Sequence, residues 1–376
     1  MRILLVASAL PSHFFAMAPF GWAARTAGHE VYAATTPDLV PAVSGSGLPT
    51  VPVGRALDFT GGYRRQSRDA GGAGDPKALF GAVAEAMVGD LTRFARAWGP
   101  DLVVWEPTTF AAPVAALEVG APAVRYLWGP DIVGRGSSGR DRLPESVRAL
   151  FGAGSGSGEV PDWWTVDPCP PSVQLAGERW LSVQYVPYSS QSRVPVSLLP
   201  SPGRRRVLVT LGLSVTELVG ESAFLPPLVL DALAGYGDLD VLVAVQPGQQ
   251  ELLGTLPGNA RAVAGCPLHL LMPSCALVVH HGGAGSLLTA ARYGVPQLML
   301  TQMPDLGFYA GRLAATGAGV HLRGADADAH SVRAAVADLL GRPEYPAAAV
   351  RLRAEALAQP TPADLVHRLL LEGVRS

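Results

Sequence analysis

Short apolar runs rich in β-branched residues alternate along this chain with longer, alanine-rich stretches of helical periodicity. Such continuous apolar runs are typical of strands that are buried on both faces of a parallel sheet. The predicted strands span residues 3–7, 31–34, 102–105 and 123–127 in the first half, and 206–211, 241–245, 277–280, 297–300 and 320–322 in the second. Strands that alternate with helices predict an α/β fold with helices covering parallel sheets.

The length of the chain, 376 residues, exceeds one ordinary hydrophobic core and suits two α/β domains. Residues 186–205 are rich in Pro, Ser and Arg and lack helical periodicity, which predicts an interdomain linker. We therefore expect an N-terminal domain at 1–190, a C-terminal domain at 206–358 and a final helix at 359–376 that returns to the first domain. Thr361, Pro362 and Asp364 provide the N-cap, first-turn proline and capping box of that helix.

Two further stretches of the first half, 64–77 and 134–159, combine glycine with charged residues or serine and predict long loops. Loops of this length in a compact enzyme are usually functional lids or disordered segments. We therefore expect the first half to shape a site for a bulky ligand.

Composition excludes several classes of protein. Only 16% of residues are charged and the formal net charge is −2, so we expect no nucleic-acid partner. The three cysteines have no short spacing, which argues against a disulfide framework or a zinc site and favours the reducing cytoplasm. The apolar run at 3–7 is too short for a signal peptide, and no run reaches the roughly 20 apolar residues that span a membrane.

The strongest local signal is a glycine-rich turn with two histidines after the strand at 277–280. It comprises His280, His281, Gly282, Gly283, Ala284, Gly285 and Ser286. Glycines allow close backbone approach, and the N-terminus of the following helix offers free N–H groups to an anion. The alternative is a tight turn with incidental histidines. The order differs from the dinucleotide fingerprint, which disfavours a nicotinamide enzyme. Gly212 and Ser214 follow the strand at 206–211 and are candidates to bind the same anion. An ordinary turn is an equally good interpretation of these two residues.

His13 is the candidate general base, because it follows the first strand and histidine can take a proton from a hydroxyl near neutral pH. A capping histidine is the alternative. A histidine base needs an acid that fixes its tautomer, and either Glu106 or Asp131 is a candidate. Two Asp-x-Asp patterns, 238–240 and 326–328, are short enough to arise by chance. The latter is expected to cap the helix at Ser331, and we assign no metal.

Taken together, these residues resemble the GT-B antibiotic glycosyltransferases, an inverting family that decorates polyketide aglycones. The resemblance covers nearly the whole chain and lies in Arg2, His13 and the segments 19–31, 100–104, 127–131, 169–172, 209–212, 267–273, 280–285 and 294–297. It implies two facing Rossmann-like domains, an acceptor site in the first and a donor site in the second. It also implies a metal-independent single displacement with no cofactor beyond a dTDP-sugar co-substrate.

The resemblance implies donor-binding roles for Gly212, Ser214, Cys266, Leu268, His281, Gly282, Gly283, Ala284, Gly285, Ser286, Asp305 and Leu306. Two positions depart from the family. Gly265 stands where members often carry an aromatic residue near the nucleobase, so base recognition is expected from the backbone around Cys266 and Leu268. Asp305-Leu306 replaces an Asp-Gln pair, and an apolar side chain there suits a deoxysugar.

The predicted function is O-glycosyl transfer of a deoxysugar from dTDP to a small hydrophobic polyketide aglycone, in the cytoplasm and without a membrane partner. Gly129 follows Trp128 and the nearest acid is Asp131, which favours an O-glycoside over the alternative, a C-glycoside of an aromatic polyketide.

Trp163 and Trp164 can stack on a planar aglycone or simply pack in the core. A nucleotide-sugar epimerase and an auxiliary protein without catalysis are rival functions. A homodimer and an activator protein are left open.

Overall fold

The computed structural model describes residues 1–8, 10–69, 76–133, 145–155, 163–175, 180–190, 203–211, 216, 218, 220 and 223–372. The chain forms two compact units. The first comprises Met1–Pro168, Leu175–Ser190 and Gln359–Ser376, and the second comprises Cys169–Gln174 and Gln191–Ala358.

A parallel sheet forms the centre of the first unit. Its described strands are β1 (Arg2–Val6), β2 (Glu30–Thr35), β3 (Thr50–Pro52), β4 (Leu102–Trp105), β5 (Ala123–Tyr126), β6 (Trp164–Asp167) and β7 (Trp180–Ser182). Their order is β3-β2-β1-β4-β5-β6-β7, and every neighbouring pair is parallel. The carboxyl ends of β1 and β4 therefore lie side by side, with Val6 opposite Trp105.

Helices cover this sheet because each carries an apolar face. They are α1 (Pro11–Thr26), α2 (Val40–Ser44), α3 (Phe59–Asp69), α4 (Pro76–Trp98), α5 (Ala111–Glu118) and α6 (Glu145–Ser155), with a 3₁₀ turn at Pro37–Leu39. Leu4, Val6, Val103 and Trp105 point from the strands into a core shared with α4, α5 and α6. Burial of these side chains supplies most of the driving force that holds the layers together.

A second parallel sheet forms the centre of the other unit. Its described strands are β8 (Arg205–Thr210), β9 (Leu239–Val245), β10 (Ala260–Ala264), β11 (Cys275–His280), β12 (Gln297–Thr301) and β13 (Gly319–Arg323), in the order β10-β9-β8-β11-β12-β13. The helices are α7 (Pro226–Leu233), α8 (Leu268–Leu271), α9 (Ala284–Tyr293), α10 (Pro304–Ala315), α11 (Ala329–Gly341) and α12 (Glu344–Leu357), with 3₁₀ turns at Pro247–Leu253, Met272–Ser274 and Gly324–Asp326.

Alternate residues of β8 enter different cores. Val207 and Val209 pack with α7 and α11, whereas Leu208 packs on the other face with Met272 and Ala290. A strand buried on both faces reads as a continuous apolar run, which is why the sequence reveals it.

All nine predicted strands are present, with ends that differ from the prediction by at most two residues. Four strands escape prediction because their sequences do not resemble buried strands. Three-residue β3 ends at Pro52 and β7 is equally short; β6 buries the polar Thr165 and Asp167; and β10 is rich in alanine, which has low strand propensity.

The prediction of a loop from residue 64 onward is wrong for its first part. Residues 64–69 continue α3, whose inner face buries Phe59 and Tyr63 while Arg64 and Arg65 stay exposed. The charges that suggested a loop are the outer face of an amphipathic helix. Residues 76 and 77 begin α4, so the loop prediction is wrong there too, and 70–75 lie outside the described residues. In the second predicted loop, 145–155 form α6, whereas 134–144 and 156–159 lie outside the described residues, as do residues 191–202 of the predicted linker.

The final helix, α13 (Pro362–Glu372), packs against α1 in the first unit. Its capping box is formed as predicted, since the Thr361 hydroxyl accepts from the Asp364 N–H at 3.2 Å and the Asp364 carboxylate accepts from the Thr361 N–H at 2.8 Å. In the described part of the chain, no helix combines the length and apolarity that crossing a membrane requires.

The segment Cys169–Gln174 belongs to the second unit, although the predicted boundary places it in the first domain. Charged side chains of the second unit hold it there. The Arg312 guanidinium donates to the carbonyl oxygens of Ser172, Val173 and Gln174, and the Glu355 carboxylate accepts from the Ser172 N–H and hydroxyl. Such side chain to backbone contacts carry no recognisable sequence pattern.

Candidate active site

His13 lies in the first turn of α1, directly beyond the carboxyl end of β1. Pro11 begins the helix, with its ring fixing a helical backbone at a position where no N–H is needed. The His13 side chain is only 8% exposed, so its ring is held by protein rather than water.

Glu106 is the acid that the structure brings to His13. It follows β4, the strand next to β1, and its Oε2 lies 3.2 Å from Nδ1 of His13. Nδ1 has no aligned hydrogen bond within the described structure, so this is a close electrostatic contact rather than a well-directed bond. A catalytic pair in a ligand-free enzyme often has such loose geometry and tightens when substrate binds.

The Glu106 carboxyl group is fully buried and well supplied with donors. The Thr108 N–H donates to it at 3.0 Å, and the hydroxyls of Thr108 and Thr109 also donate to it. Thr109 further shares a hydrogen bond of 2.7 Å with the buried Ser8 hydroxyl. These donors compensate for the lost hydration of the carboxyl group and fix the side chain toward His13.

Trp128 covers one face of His13. The two rings are stacked, with centroids 3.8 Å apart and planes inclined by 6°. In the sequence, Trp128 stands out only as part of the 127–131 segment, and no local pattern predicts its contact with His13. An indole face attracts a cation, so the stack favours the imidazolium that forms when His13 takes a proton.

Asp131 is engaged by another residue of the same unit. Its Oδ2 lies 2.5 Å from Nη2 of Arg125, and Arg125 also donates to the Thr165 hydroxyl. The carboxylate and guanidinium are both largely buried, so each compensates the charge of the other. Of the two acids that the sequence offers, Glu106 contacts His13, whereas Asp131 is paired with Arg125.

The tryptophans at 163 and 164 are both partly exposed, and they differ in their contacts. Trp163 meets Trp105 edge-to-face at 5.0 Å and packs beside Phe151, whereas Trp164 begins β6. Trp163 is therefore a packing residue of the first core.

The second unit contains the glycine-rich turn, in the predicted strand-turn-helix setting. β11 ends at His280, and α9 begins at Ala284. Gly283 is the N-cap and no side chain caps the helix. The first-turn N–H groups of Ala284, Gly285 and Ser286 therefore sit at the positive end of the helix dipole without a capping side chain. This is an anion-binding arrangement.

Two glycines in this turn are sterically required. Gly282 has φ +89°, and a Cβ there would lie 2.9 Å from Cγ2 of Thr301 and 3.2 Å from the carbonyl oxygen of Leu306. A Cβ on Gly283 would overlap the His281 ring. Any larger residue at either position would displace the loop.

His281 follows β11 in this turn, and its side chain is half-buried. Loss of hydration lowers the pKa of its imidazole to about 4, although the adjacent Thr210 backbone acts in the opposite direction. Thr210 ends β8, the neighbour of β11, so two strand ends meet at the histidine. Nδ1 of His281 is buried and has no hydrogen-bond partner in the described structure.

The remaining predicted donor residues are placed as follows. Cys266 is buried after β10, and burial raises the pKa of its thiol; Leu268 begins α8. Leu306 is 8% exposed in α10 and lies against Gly282, while its neighbour Asp305 is half-buried. Gly212 and Ser214 lie outside the described residues.

Both Asp-x-Asp patterns have structural partners. Asp238 pairs with Arg205, and Asp240 pairs with Arg206 and Arg261. Asp328 caps α11 by accepting from the Ser331 N–H at 2.7 Å, as predicted. These carboxylates stabilise strand and helix ends.

Two family models match the chain. The N-terminal domain model described as erythromycin biosynthesis protein CIII-like matches residues 22–212, and the C-terminal domain model of the same description matches residues 227–371. Together they cover most of both units.

Individual proteins are similar over nearly their whole lengths. The 10-deoxymethynolide desosaminyltransferase of Streptomyces venezuelae is 36% identical, with 98% of this chain and 96% of that protein covered. The glycosyltransferase VinC, solved in complex with dTDP, is 33% identical with a TM-score of 0.81 and 99% of each chain covered. The spinosyn rhamnosyltransferase SpnG, solved with spinosyn aglycone, is 32% identical with a TM-score of 0.84, covering 98% of this chain and 100% of that one.

The similarity to these relatives is continuous across both sheets and is accompanied by the same two-domain architecture. The chain therefore belongs to the erythromycin biosynthesis protein CIII-like family, and it is a glycosyltransferase of the GT-B fold.

Proposed function

We propose that this enzyme transfers a deoxysugar from a dTDP-sugar to a hydroxyl group of a polyketide-type aglycone in antibiotic biosynthesis, with inversion at the anomeric carbon. The observation that carries the proposal is the buried contact between His13 and Glu106 beside the Trp128 ring. The relatives support the choice of substrates, because one is named for desosaminyl transfer and others were solved with dTDP or with spinosyn aglycone.

His13 acts as the general base in this proposal. Its Nδ1 faces Glu106, which leaves Nε2 to accept the proton of the acceptor hydroxyl. The oxygen attacks the anomeric carbon as the proton leaves, so the histidine becomes an imidazolium. Glu106 and Trp128 stabilise that cation, one by its charge and the other by its ring face.

The glycine-rich turn binds the diphosphate of the donor. The N–H groups at the start of α9 and the His281 ring donate to phosphate oxygens and stabilise the negative charge that grows as dTDP departs. These donors supply the stabilisation without a metal ion.

Oxygen attack is favoured over carbon attack by the position of the acids. A base for carbon attack would be expected near Trp128, and the nearest acid in sequence, Asp131, is paired with Arg125. Glu106 instead lies against a histidine that suits deprotonation of a hydroxyl group.

The test is a screen of dTDP-sugars against macrocyclic and aromatic polyketide aglycones, read by mass spectrometry. We expect a glycoside whose sugar is released by warm dilute acid, higher specificity for a dTDP-deoxysugar than for UDP-glucose, and activity that persists in EDTA. A carbon–carbon anomeric linkage by NMR would refute oxygen attack. Epimerisation of the donor without any acceptor would replace the transferase assignment.

The same screen addresses partner proteins. A chain that binds dTDP but transfers nothing alone would indicate a missing activator, and gel filtration of the active species reports whether a homodimer forms.

A further inference from the structure

His280, which the proposed reaction does not use, has a complete set of hydrogen bonds at the base of the glycine-rich turn. It ends β11 and is fully buried. Its Nδ1 accepts from the Gly282 N–H at 3.1 Å, and its Nε2 lies 2.9 Å from Oε1 of Gln297.

These contacts permit one tautomer. Nδ1 accepts a hydrogen bond from the Gly282 N–H, so Nδ1 carries no proton, and the single proton of the neutral ring must be on Nε2. That proton is donated to Oε1 of Gln297. The amide group of Gln297 is then oriented so that its Nε2 donates to the Leu287 carbonyl oxygen at 3.3 Å.

The chain of bonds begins and ends on main-chain atoms that flank the anion-binding turn. Gly282 precedes the N-cap of α9, and Leu287 lies in the first turns of that helix. Gln297 is fully buried at the start of β12, where its own N–H donates to the Ala318 carbonyl oxygen at 3.1 Å. Hydrogen bonds thereby join the turn and the start of α9 to Gln297 of strand β12.

The hydrogen bond between Gly282 and His280 also determines which backbone N–H groups are available to a ligand. The Gly282 N–H points into the protein toward His280, so this residue contributes its backbone conformation rather than an amide to an anion. The donors left for a ligand are those of the helix start. A protonated His280 would present a second N–H to the Gly282 amide and break the chain of bonds.

We propose that His280 is a positioning residue for the donor diphosphate, whose single neutral Nε2–H tautomer sets the conformation of the 281–283 turn. The inference rests on the proposed function in that the anion is taken to be the diphosphate of the sugar donor. Burial and the neighbouring His281 lower the pKa of His280 to about 3, which keeps the ring neutral at physiological pH.

The tautomer can be tested on the wild-type enzyme alone. Ring ¹⁵N chemical shifts of histidine-labelled protein, with the His280 signals identified by their loss in His280→Asn, should show a protonated Nε2 and a bare Nδ1. A proton on Nδ1 would overturn the proposal whatever the ligand is.

The positioning role is tested by two substitutions that each retain one half of the histidine. Asn places its side-chain oxygen near the position of Nδ1 and can still accept from Gly282, whereas Gln places its amide nitrogen near Nε2 and loses that acceptor. His280→Gln should raise the dissociation constant of dTDP roughly ten- to a hundredfold, the range for leaving one buried partner unsatisfied. His280→Asn should stay within about threefold of wild type.

Thymidine, which lacks the diphosphate, provides the matched control ligand. Its affinity should be unchanged in both variants. Gln297→Met, which removes the contact with Nε2 and leaves Nδ1 of His280 to accept from Gly282, should stay within about threefold of wild type for dTDP, as His280→Asn does, and should leave thymidine unchanged.

Equal weakening of dTDP and thymidine, or equal losses in the Asn and Gln variants, would identify His280 as an ordinary core residue and overturn the proposal. A wild-type enzyme that does not bind dTDP would instead contradict the proposed function, while the tautomer result would still stand.

Discussion

The two histidine sites of this enzyme differ in how the protein treats a positive charge. In the first unit, His13 has a carboxyl group 3.2 Å from Nδ1 and an indole stacked on its face. In the second unit, His280 is fully buried and its neighbour His281 is half-buried, and loss of hydration lowers the pKa of each. The first environment places a carboxyl group and an aromatic face beside the ring, whereas loss of hydration in the second disfavours an imidazolium.

The difference follows from the chemistry expected of each site. A base must carry a proton for part of the reaction, so its surroundings have to stabilise the charged form. A loop that presents N–H groups to an anion needs fixed donors and acceptors, which a histidine supplies only in a single neutral tautomer. In the proposed reaction, the same type of side chain thus serves as a proton acceptor in one unit and as a structural and hydrogen-bonding group in the other.

The largest effect on kcat should come from substituting the two histidines that are proposed to act in proton transfer and in donor binding. His13→Ala should lower kcat by roughly 10²- to 10⁴-fold, the usual contribution of a general base, while the dissociation constant of dTDP by calorimetry stays unchanged. His281→Ala should lower kcat by about 10²-fold or more and also weaken dTDP. His367→Ala, an exposed histidine on α13, is the control that should alter neither quantity.

Near-normal turnover in His13→Ala would remove the base from the scheme. Loss of dTDP affinity in that variant equal to the loss in His281→Ala would mean that the two sites do not have separate roles.

The choice of acid is the next comparison. Glu106→Gln should reduce kcat about 10- to 100-fold, less than the roughly 10⁴-fold loss in a well-aligned triad, because the contact with His13 is loose. Asp131→Asn leaves Arg125 buried without its carboxylate partner, so it should lower the melting temperature and affect kcat less. The reverse pattern, with Asp131→Asn the slower enzyme and Glu106→Gln near normal, would transfer the role to Asp131.

Acidification should destabilise the enzyme through the second site. The folded-state pKa values of His280 and His281, about 3 and about 4, lie below the ordinary value of 6.5, so below pH 6.5 the unfolded chain binds protons that the folded chain does not. The free energy of unfolding should therefore fall as pH decreases from 6.5 toward 4, by about 2 kcal/mol for each histidine at pH 5. Urea unfolding at pH 7 and pH 5 measures the decrease.

His281→Gln provides the matched variant for that measurement, because it cannot titrate. Its loss of stability between pH 7 and pH 5 should be smaller than that of wild type by about 2 kcal/mol. Identical pH dependence in the two proteins would contradict the burial argument.

Local sequence pattern predicts those parts of the molecule that depend on neighbouring residues alone. Fully buried strands read as apolar runs, and the cap of α13 and the turn at 280–286 have residue types that follow from backbone geometry. The contacts that assign roles are not local. The contact of Glu106 with His13 depends on β1 and β4 being neighbours, although about ninety positions separate the two residues.

The interactions of His280 and Trp128 are hidden from the sequence for the same reason. The hydrogen bond of His280 to Gln297 and the stack of Trp128 on His13 are made by residues whose letters alone suggest an ordinary core histidine and a packed aromatic. Only the spatial arrangement distinguishes a residue that positions another group from an ordinary buried core residue.

The smallest effect, and the finest test of the comparison, concerns Trp128. A cation–aromatic contact contributes about 0.5 to 2 kcal/mol, so Trp128→Leu should lower kcat roughly two- to thirtyfold, and Trp128→Phe, which keeps a ring face, should recover part of the loss. The dissociation constant of dTDP should stay constant in both, because the residue belongs to the first unit and the diphosphate loop to the second. In a His13→Ala background the substitution should have little further effect on kcat, since the stack acts only through the imidazole. Equal rates for the Leu and Phe variants would assign Trp128 to packing alone, and additive losses in the double variant would show that it acts independently of His13.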